Sequence, residues 1–372
     1  MTTIVQAVEV HRLAVAGREA AIARQVGDRV AQVWLATSRF ADVEALATAT
    51  LSLGRDAGAF YTRGWARQGT GQPRPSLADY NQALTLYRDA GHRGNEAATL
   101  NNLGALYNGL GDRQQALAYH EQALPIRREV GDRAGEATTL NSIGAVCHGL
   151  GDRLQALAHY EQALPIRREV GDRAGEATTL NNIGAVYHLL GNRQQALAHY
   201  EQALPIQREV GDRASEASIL TNIGAVYNGL GNPQQALTYY EQALPITREV
   251  GNRAGEASIL NNIGAVYNGL GNPQQALTYY EQALPIRREV GDRPGEALTR
   301  YNIATIHRAH GALAKAISEL ERVVDLDRQV DHPDLASDTA FLEQVRQERA
   351  AVDSVARLGA VEDRREAEPA PR

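Results

Sequence analysis

Cysteine is almost absent from this chain. Cys147 stands alone among 372 residues, which excludes an internal disulfide framework and any multi-cysteine metal site. Lysine is as scarce, with Lys315 the only one, and 38 basic residues face 44 acidic ones. A formal charge of −6 offers no basic surface for a phosphate backbone, so nucleic acid is not expected as a partner. Long apolar runs are missing too. No window reaches the roughly 18 uninterrupted apolar residues of a membrane span. Residues 1–25 carry charges throughout and lack the apolar centre of a secretory signal. Together these absences predict a cytoplasmic protein with no membrane partner. The near-exclusive use of arginine over lysine points to a GC-rich bacterial gene. What remains, 43% apolar and 22% charged residues, is the composition of a folded chain.

The chain is dominated by a repeat. The block GDRAGEATTLN at Gly131 returns at Gly171, and close variants begin at Gly91, Gly211 and Gly251. Segments 211–250 and 251–290 differ at four of 40 positions, namely Asp212/Asn252, Ser215/Gly255, Thr221/Asn261 and Thr247/Arg287. Five near-regular units fill 91–290, and decayed units extend the array to 51–330. Within one unit, Leu100, Leu103, Tyr107 and Leu110 follow one face of an α-helix. Gly111 then tolerates the φ > 0 that ends a helix, and Asp112 is an N-cap for the next. The second helix buries Ala116, Leu117, His120, Ala123 and Leu124. The pattern predicts an all-α chain of two antiparallel helices per unit. Such a unit cannot bury its apolar face alone and must stack on its neighbours as a solenoid.

The run Leu100, Leu103-Gly104, Tyr107, Gly111, Ala116, His120, Ala123 resembles the tetratricopeptide repeat (TPR), with tyrosine at 160, 200, 240 and 280 where His120 stands. The 40-residue period resembles the variant found in kinesin light chains, in polarity adaptors with G-protein regulatory motifs and in the repeat arms of bacterial signalling ATPases. The resemblance implies a right-handed superhelical solenoid of antiparallel helix hairpins, with the first helix of each unit on the concave side. For function it implies a binding surface, since the fold serves many partners.

The ends depart from the pattern. Residues 1–50 are expected to hold degenerate helical repeats or a cap, in which RQVGDR (24–29) echoes the end of a unit. GTGQPRPS (69–76) reads as a loop, 331–358 as a capping helix beginning after Pro333, and 359–372 as a disordered tail. Pro125, Pro165, Pro205, Pro245 and Pro285 fall inside the second helices and predict a bend in each.

No motif carries chemistry. GTG at 69–71 lacks the rest of a phosphate loop. Cys147 replaces the tyrosine of its sister units, which marks a core substitution rather than a nucleophile. His148 and His188 share one repeat position, but no carboxylate or thiolate recurs beside them to complete a metal site. Glu121, Glu161, Glu201, Glu241 and Glu281 recur in every unit and therefore serve the unit. No cofactor, metal or catalytic activity is expected. What recurs on the expected inner face is amide. Asn102, Asn182, Asn222, Asn262 and Asn302, with Ser142 as the exception, precede a buried Leu or Ile. Asn108, His148, His188, Asn228 and Asn268 follow about a turn and a half later. An amide offers one acceptor and two donors, which matches a peptide backbone unit, so this ladder is the expected peptide-binding groove. The competing role for the same amides is to bond neighbouring helices. Apart from Arg308 these positions carry no charge, which argues against a clamp for acidic tails. The paired arginines, Arg127-Arg128 and their repeats, are expected on the outer side or rim, paired with Glu129, Glu169 and Glu289.

The chain therefore reads as a protein-interaction scaffold that holds a partner peptide or helix. The alternative is a regulatory or sensor arm that binds a small ligand or peptide and controls a partner ATPase or protease. Oligomeric state is left open.

Overall fold

The computed structural model describes residues 3–366, with side chains described for 3–354. Among these residues it contains eighteen α-helices and no strand, and no helix is long and apolar enough to cross a membrane. The chain opens with α1 (Ile4–Ala16), α2 (Ala20–Ala36), α3 (Phe40–Leu51), α4 (Ala57–Gly69) and α5 (Pro73–Asp89). Hairpins of a first helix, A, and a second, B, follow. They are α6 (Arg93–Gly109) with α7 (Arg113–Glu129), and α8 (Arg133–Gly149) with α9 (Arg153–Glu169). Next come α10 (Arg173–Leu189), α11 (Arg193–Val210), α12 (Arg213–Gly229) with α13 (Pro233–Glu249), and α14 (Arg253–Gly269) with α15 (Pro273–Glu289). The chain closes with α16 (Arg293–Ala309), α17 (Leu313–Val330) and α18 (Leu335–Glu366). It is a helical-repeat solenoid in two compact units, Met1–Gly191 and Asn192–Arg372. Within each unit an A helix lies against the next A helix (α6 on α8, α8 on α10; α12 on α14, α14 on α16). Within a unit, each B helix packs chiefly on the A helices that flank it. The A side is therefore the inner side of the array in each unit.

Each hairpin is closed by the chemistry its turn demands. At the end of α6, Gly111 takes φ +85°. Its N–H donates to Asn108 O, and the Asp112 N–H reaches back to Tyr107 O. That pair of bonds is a glycine C-cap. Asp112 then accepts from the Gln115 N–H and starts α7. Leu100 and Leu103 are fully buried, but Leu110 sits in the turn and is exposed, and Leu106 is buried in its place. The first two turns put a residue other than glycine in the left-handed region. Arg18 and Ser38 themselves adopt positive φ, at 58° and 56°. Gly27 does not end a helix but lies inside α2, packed against His11 and Thr50. GTGQPRPS is likewise mostly helical, with residues 70–72 alone between α4 and α5. Helix α18 buries Leu342 and Val345 against α17. It runs on to Glu366, into the stretch expected as a tail, while residues 367–372 lie outside the described ones. Each B helix continues through its proline. Every one of these prolines is exposed, so the carbonyl that loses its N–H partner lies on the solvent side.

The hairpins are held at close range by a ring over a glycine. A Cβ on Gly144, Gly224 or Gly264 would meet the ring of Tyr160, Tyr240 or Tyr280 at 2.6–2.7 Å, and one on Gly104 would meet His120 at 2.7 Å. Glycine here lets helix A approach the aromatic side chain of helix B, whereas Tyr107, on the apolar face of the sequence pattern, is only half-buried.

Neighbouring units are stitched by charge. Glu176 is buried, and accepts from Arg168 Nε at 2.7 Å and Arg173 Nη1 at 2.5 Å. The same triad recurs as Arg128–Glu136–Arg133 and Arg248–Glu256–Arg253. Arg133 also reaches Glu169 at the far end of its own hairpin at 2.7 Å, and Arg253 likewise reaches Glu289 at 2.8 Å. The second arginine of each pair thus bonds the next unit's buried glutamate, and Glu129, Glu169 and Glu289 pair with Arg93, Arg133 and Arg253 instead. Glu176→Gln should cost about 1–2 kcal/mol in urea unfolding. This lies below the usual 3–5 kcal/mol for breaking a buried pair, because both arginines are about half exposed. An unchanged midpoint would show the triads to be ornamental.

Candidate functional site

The inner face of each unit is built from helix A. The two amide series do not share one line on it. Six residues of helix turn the chain by about 600°, so Asn108 stands about 120° away from Asn102. Between them run small side chains, Ala98 and Ala105 on α6, Thr138 and Ala145 on α8, and Ser258 and Ala265 on α14, of which Ala105, Ala145 and Ala265 are exposed. The face is therefore a shallow strip of Ala, Ser and Thr with amides or imidazoles at its two edges. Asn108, Asn228 and Asn268 are exposed on one edge, and His148 and His188 are half-buried there. The alanine strip was readable in the sequence as a position occupied by a small residue in each unit, but apolar periodicity does not select it.

On the other edge, most of the amides are engaged. Asn141 Oδ1 accepts from Thr179 Oγ1 and Asn182 Nδ2, both at 3.3 Å, which ties α8 to α10. Asn261 Oδ1 likewise accepts from Thr299 Oγ1 at 3.2 Å and Asn302 Nδ2 at 3.4 Å, tying α14 to α16. Asn102 donates to the Tyr61 hydroxyl at 3.0 Å and to the Tyr80 hydroxyl at 3.4 Å. Ser142 turns back on its own helix, to Thr138 O at 3.0 Å. Asn262 differs. Opposite it Thr221 stands where Asn182 and Asn302 meet an asparagine; its hydroxyl donates to Ala217 O, and among the described residues Asn262 has no side-chain partner. It is half-buried beside a notch of about 170 Å³ that lies between α12 and α14 and includes Asn222, Thr247 and Ser258.

That notch shows what lies beneath the strip. Its floor is the last turn of the B helix. The position is Thr247 there, and Arg127, Arg167, Gln207, Arg287 and Asp327 elsewhere. The inner face is thus not free of arginine, contrary to the sequence expectation. Arg127, Arg167 and Arg287 are largely buried, each paired with an aspartate of the following turn, Asp132, Asp172 or Asp292. Those carboxylates neutralise them, and the Nε atoms of all three are buried without a partner among the described residues. Arg308 is also occupied, by Glu348 of α18 at 2.5 and 3.0 Å. Cys147 is buried between Ile143, Tyr160 and Ile183, and burial pushes its thiol up. No group of three or more His, Cys, Asp or Glu side chains is placed to hold a metal ion among the described residues.

A tetratricopeptide repeat family profile matches residues 95–169, 175–249 and 255–329, more than half of the chain. No curated protein sequence matches. Among solved structures, the chain is similar to a signal-transduction ATPase with numerous domains (STAND) with a tetratricopeptide repeat sensor from Pyrococcus horikoshii. The TM-score is 0.69 at 16% identity, over 87% of this chain and 49% of that one. It is similar to the apo form of the quorum sensor NprR from B. thuringiensis, with a TM-score of 0.69 at 17% identity over 82% and 87% of the two chains. It is also similar to a Rap protein complexed with competence and sporulation factor, with a TM-score of 0.58 at 15% identity over 88% and 98%. These likenesses show the fold.

Proposed function

The chain belongs to the tetratricopeptide repeat family, and from that premise we propose that it is a non-catalytic scaffold that holds a partner peptide or helix along the inner, helix-A face of its hairpins. The observation that carries this reading is the strip of small side chains with amide edges. It leaves room for a partner backbone, and Asn262 offers it an uncommitted donor pair and acceptor. The complex of a Rap protein with competence and sporulation factor supports a ligand-binding role for such an array. A second reading, a sensor arm that acts on a partner ATPase, is favoured by the likeness to the tetratricopeptide repeat sensor of the STAND ATPase. Both readings place the ligand on the same face.

The amides divide into two roles, and this can be measured. Asn182→Ala removes a bond between α8 and α10 and should cost about 1 kcal/mol. Asn262→Ala should leave the melting temperature unchanged. Ala145→Arg and Ala265→Arg place a bulky side chain on exposed points of the strip, so helicity and melting should stay as in the parent. Partners captured from the native host and identified by mass spectrometry should then bind the double arginine variant at least tenfold more weakly. Equal binding would move the interface off the inner face.

A further inference from the structure

The last notch of the array, between α16, α17 and α18, is unlike those before it. It is a cavity of about 740 Å³. The floor position that carries arginine at 127, 167 and 287 is Asp327, and the aspartate that partners those arginines is replaced by His332. Where Arg127 places its own guanidinium beside Asp132, the terminal floor position holds an acid instead. Asp327 is 2% exposed, and its Oδ2 has no hydrogen-bond partner among the described residues. His332 does not supply one. Its Nδ1 accepts the Asp334 N–H at 3.3 Å and stands 4.0 Å from Asp327 Oδ1. Asp334 and Asp338 line the same cavity, together with the Tyr301 ring and the exposed Leu298. The remaining charged groups, Arg287 and Asp292, are closed on each other. Asp327 and Asp338 stand within hydrogen-bonding reach of each other, so with both ionised the pair is costly to hold together, and a positive ligand group removes that cost. A bare metal ion does not fit the arrangement, since no three ligating side chains converge. An organic cation does, with acids and the Tyr301 side chain among the residues that line the cavity.

We propose that this terminal notch binds the guanidinium or ammonium group of a basic side chain in a partner peptide. Asp327 bonds the cation at the floor, Asp338 and Asp334 flank it, and the side-chain stem lies against Tyr301 and Leu298. Only the peptide as carrier of the charge rests on the scaffold reading; the cation site stands on its own geometry. Burial, with the hydrogen bond to Asp327 and its charge, pushes the Asp338 carboxyl up to about 6. Below that pH the notch loses one of its acids.

The test titrates the full chain with Nα-acetyl-arginine amide, and with the citrulline analogue as its uncharged counterpart, by isothermal calorimetry at pH 7.5. The arginine probe is expected to bind saturably and at least tenfold more tightly than the citrulline probe. Asp327→Asn should weaken it at least tenfold while raising the melting temperature of the free protein, because the repulsion between neighbouring carboxylates is gone. Asp325→Asn, on the exposed side of α17, should change nothing. Asp338→Asn should weaken it about threefold and flatten the further loss seen in the parent between pH 7.5 and 5. Ala265→Arg should leave probe binding intact, so that failure of the strip and failure of the notch are told apart. Equal binding of the two probes, or full binding by Asp327→Asn, overturns the site. A blocked Gly-Gly-Arg-Gly-Gly peptide should bind more tightly than the amino-acid probe. Equal affinity overturns the peptide as carrier.

Discussion

Gly224→Ala is expected to destabilise the second unit by about 2 kcal/mol, although alanine is the better helix former. Propensity alone would favour the change by about 1 kcal/mol. The new methyl, however, would stand 2.7 Å from Tyr240 Cε1 and 2.9 Å from Cδ1. The ring is 2% exposed, which leaves it little room to swing aside, and overpacking of this kind costs about 1–3 kcal/mol. The chain contains its own control. At the corresponding position of the last hairpin Ala304 replaces glycine, and Leu320 replaces the tyrosine opposite. Both are fully buried in one cluster. The double variant Gly224→Ala/Tyr240→Leu should therefore recover at least half of the loss, measured by urea unfolding followed by circular dichroism. A stability for Gly224→Ala equal to or above that of the parent would mean that the hairpins are not set by contact of ring and glycine.

The second large effect is acid lability at one position. His120 stands where the sister units carry tyrosine, is 1% exposed, and its Nδ1 lies 3.0 Å from Asn101 Oδ1. Burial lowers its pKa to about 4, from 6.5. Because the folded value is depressed, the unfolded chain binds the proton first as pH falls. Stability contributed by the neutral imidazole is present above pH 6.5 and is lost between pH 6.5 and 4. At 1.36 kcal/mol per unit this is on the order of 3 kcal/mol. His11, buried against Thr50 with Nε2 2.8 Å from its hydroxyl, is lowered by the same cause and adds in the same direction. His120→Tyr should fold as the neighbouring hairpins do, hold its stability at pH 7, and lose most of this slope, read as midpoints of urea unfolding from pH 7 to 4. Identical slopes in the two proteins would remove His120 as their source.

These two positions show how unevenly the chain discloses itself. The hairpins of 91–290 were legible because a glycine in the left-handed region and a capping Asp or Asn recur at fixed spacing around each apolar face. Residues 1–50 were less so, because Arg18 and Ser38 take the left-handed position of these turns in place of glycine, and a local pattern carries no mark of such a choice. Gly27 misled for the complementary reason. A glycine buried inside a helix against His11 looks, in one dimension, like a glycine that ends one. The ring-over-glycine contact joins residues 16 apart, Gly224 with Tyr240, on helices that touch only after folding.

The inner face was half legible. The recurring amides were visible, and so was their capacity to bond a peptide. Which of them is free depends on the residue 41 positions earlier, on the neighbouring A helix: Asn141 engages Asn182, whereas Thr221 leaves Asn262 unpaired. The arginines of the B helices were assigned to the outside because a linear pattern does not tell which way the last turn of a helix faces. Stacking brings that turn under the next A helix and makes Arg127, Thr247 and Asp327 the floors of notches. The amino-acid sequence alone determined the repeat, its helices and the turns between them, since these rest on backbone preferences and apolar spacing within 40 residues. The tertiary structure decided which polar groups are satisfied and which are left open, since that depends on neighbours brought together by packing across units.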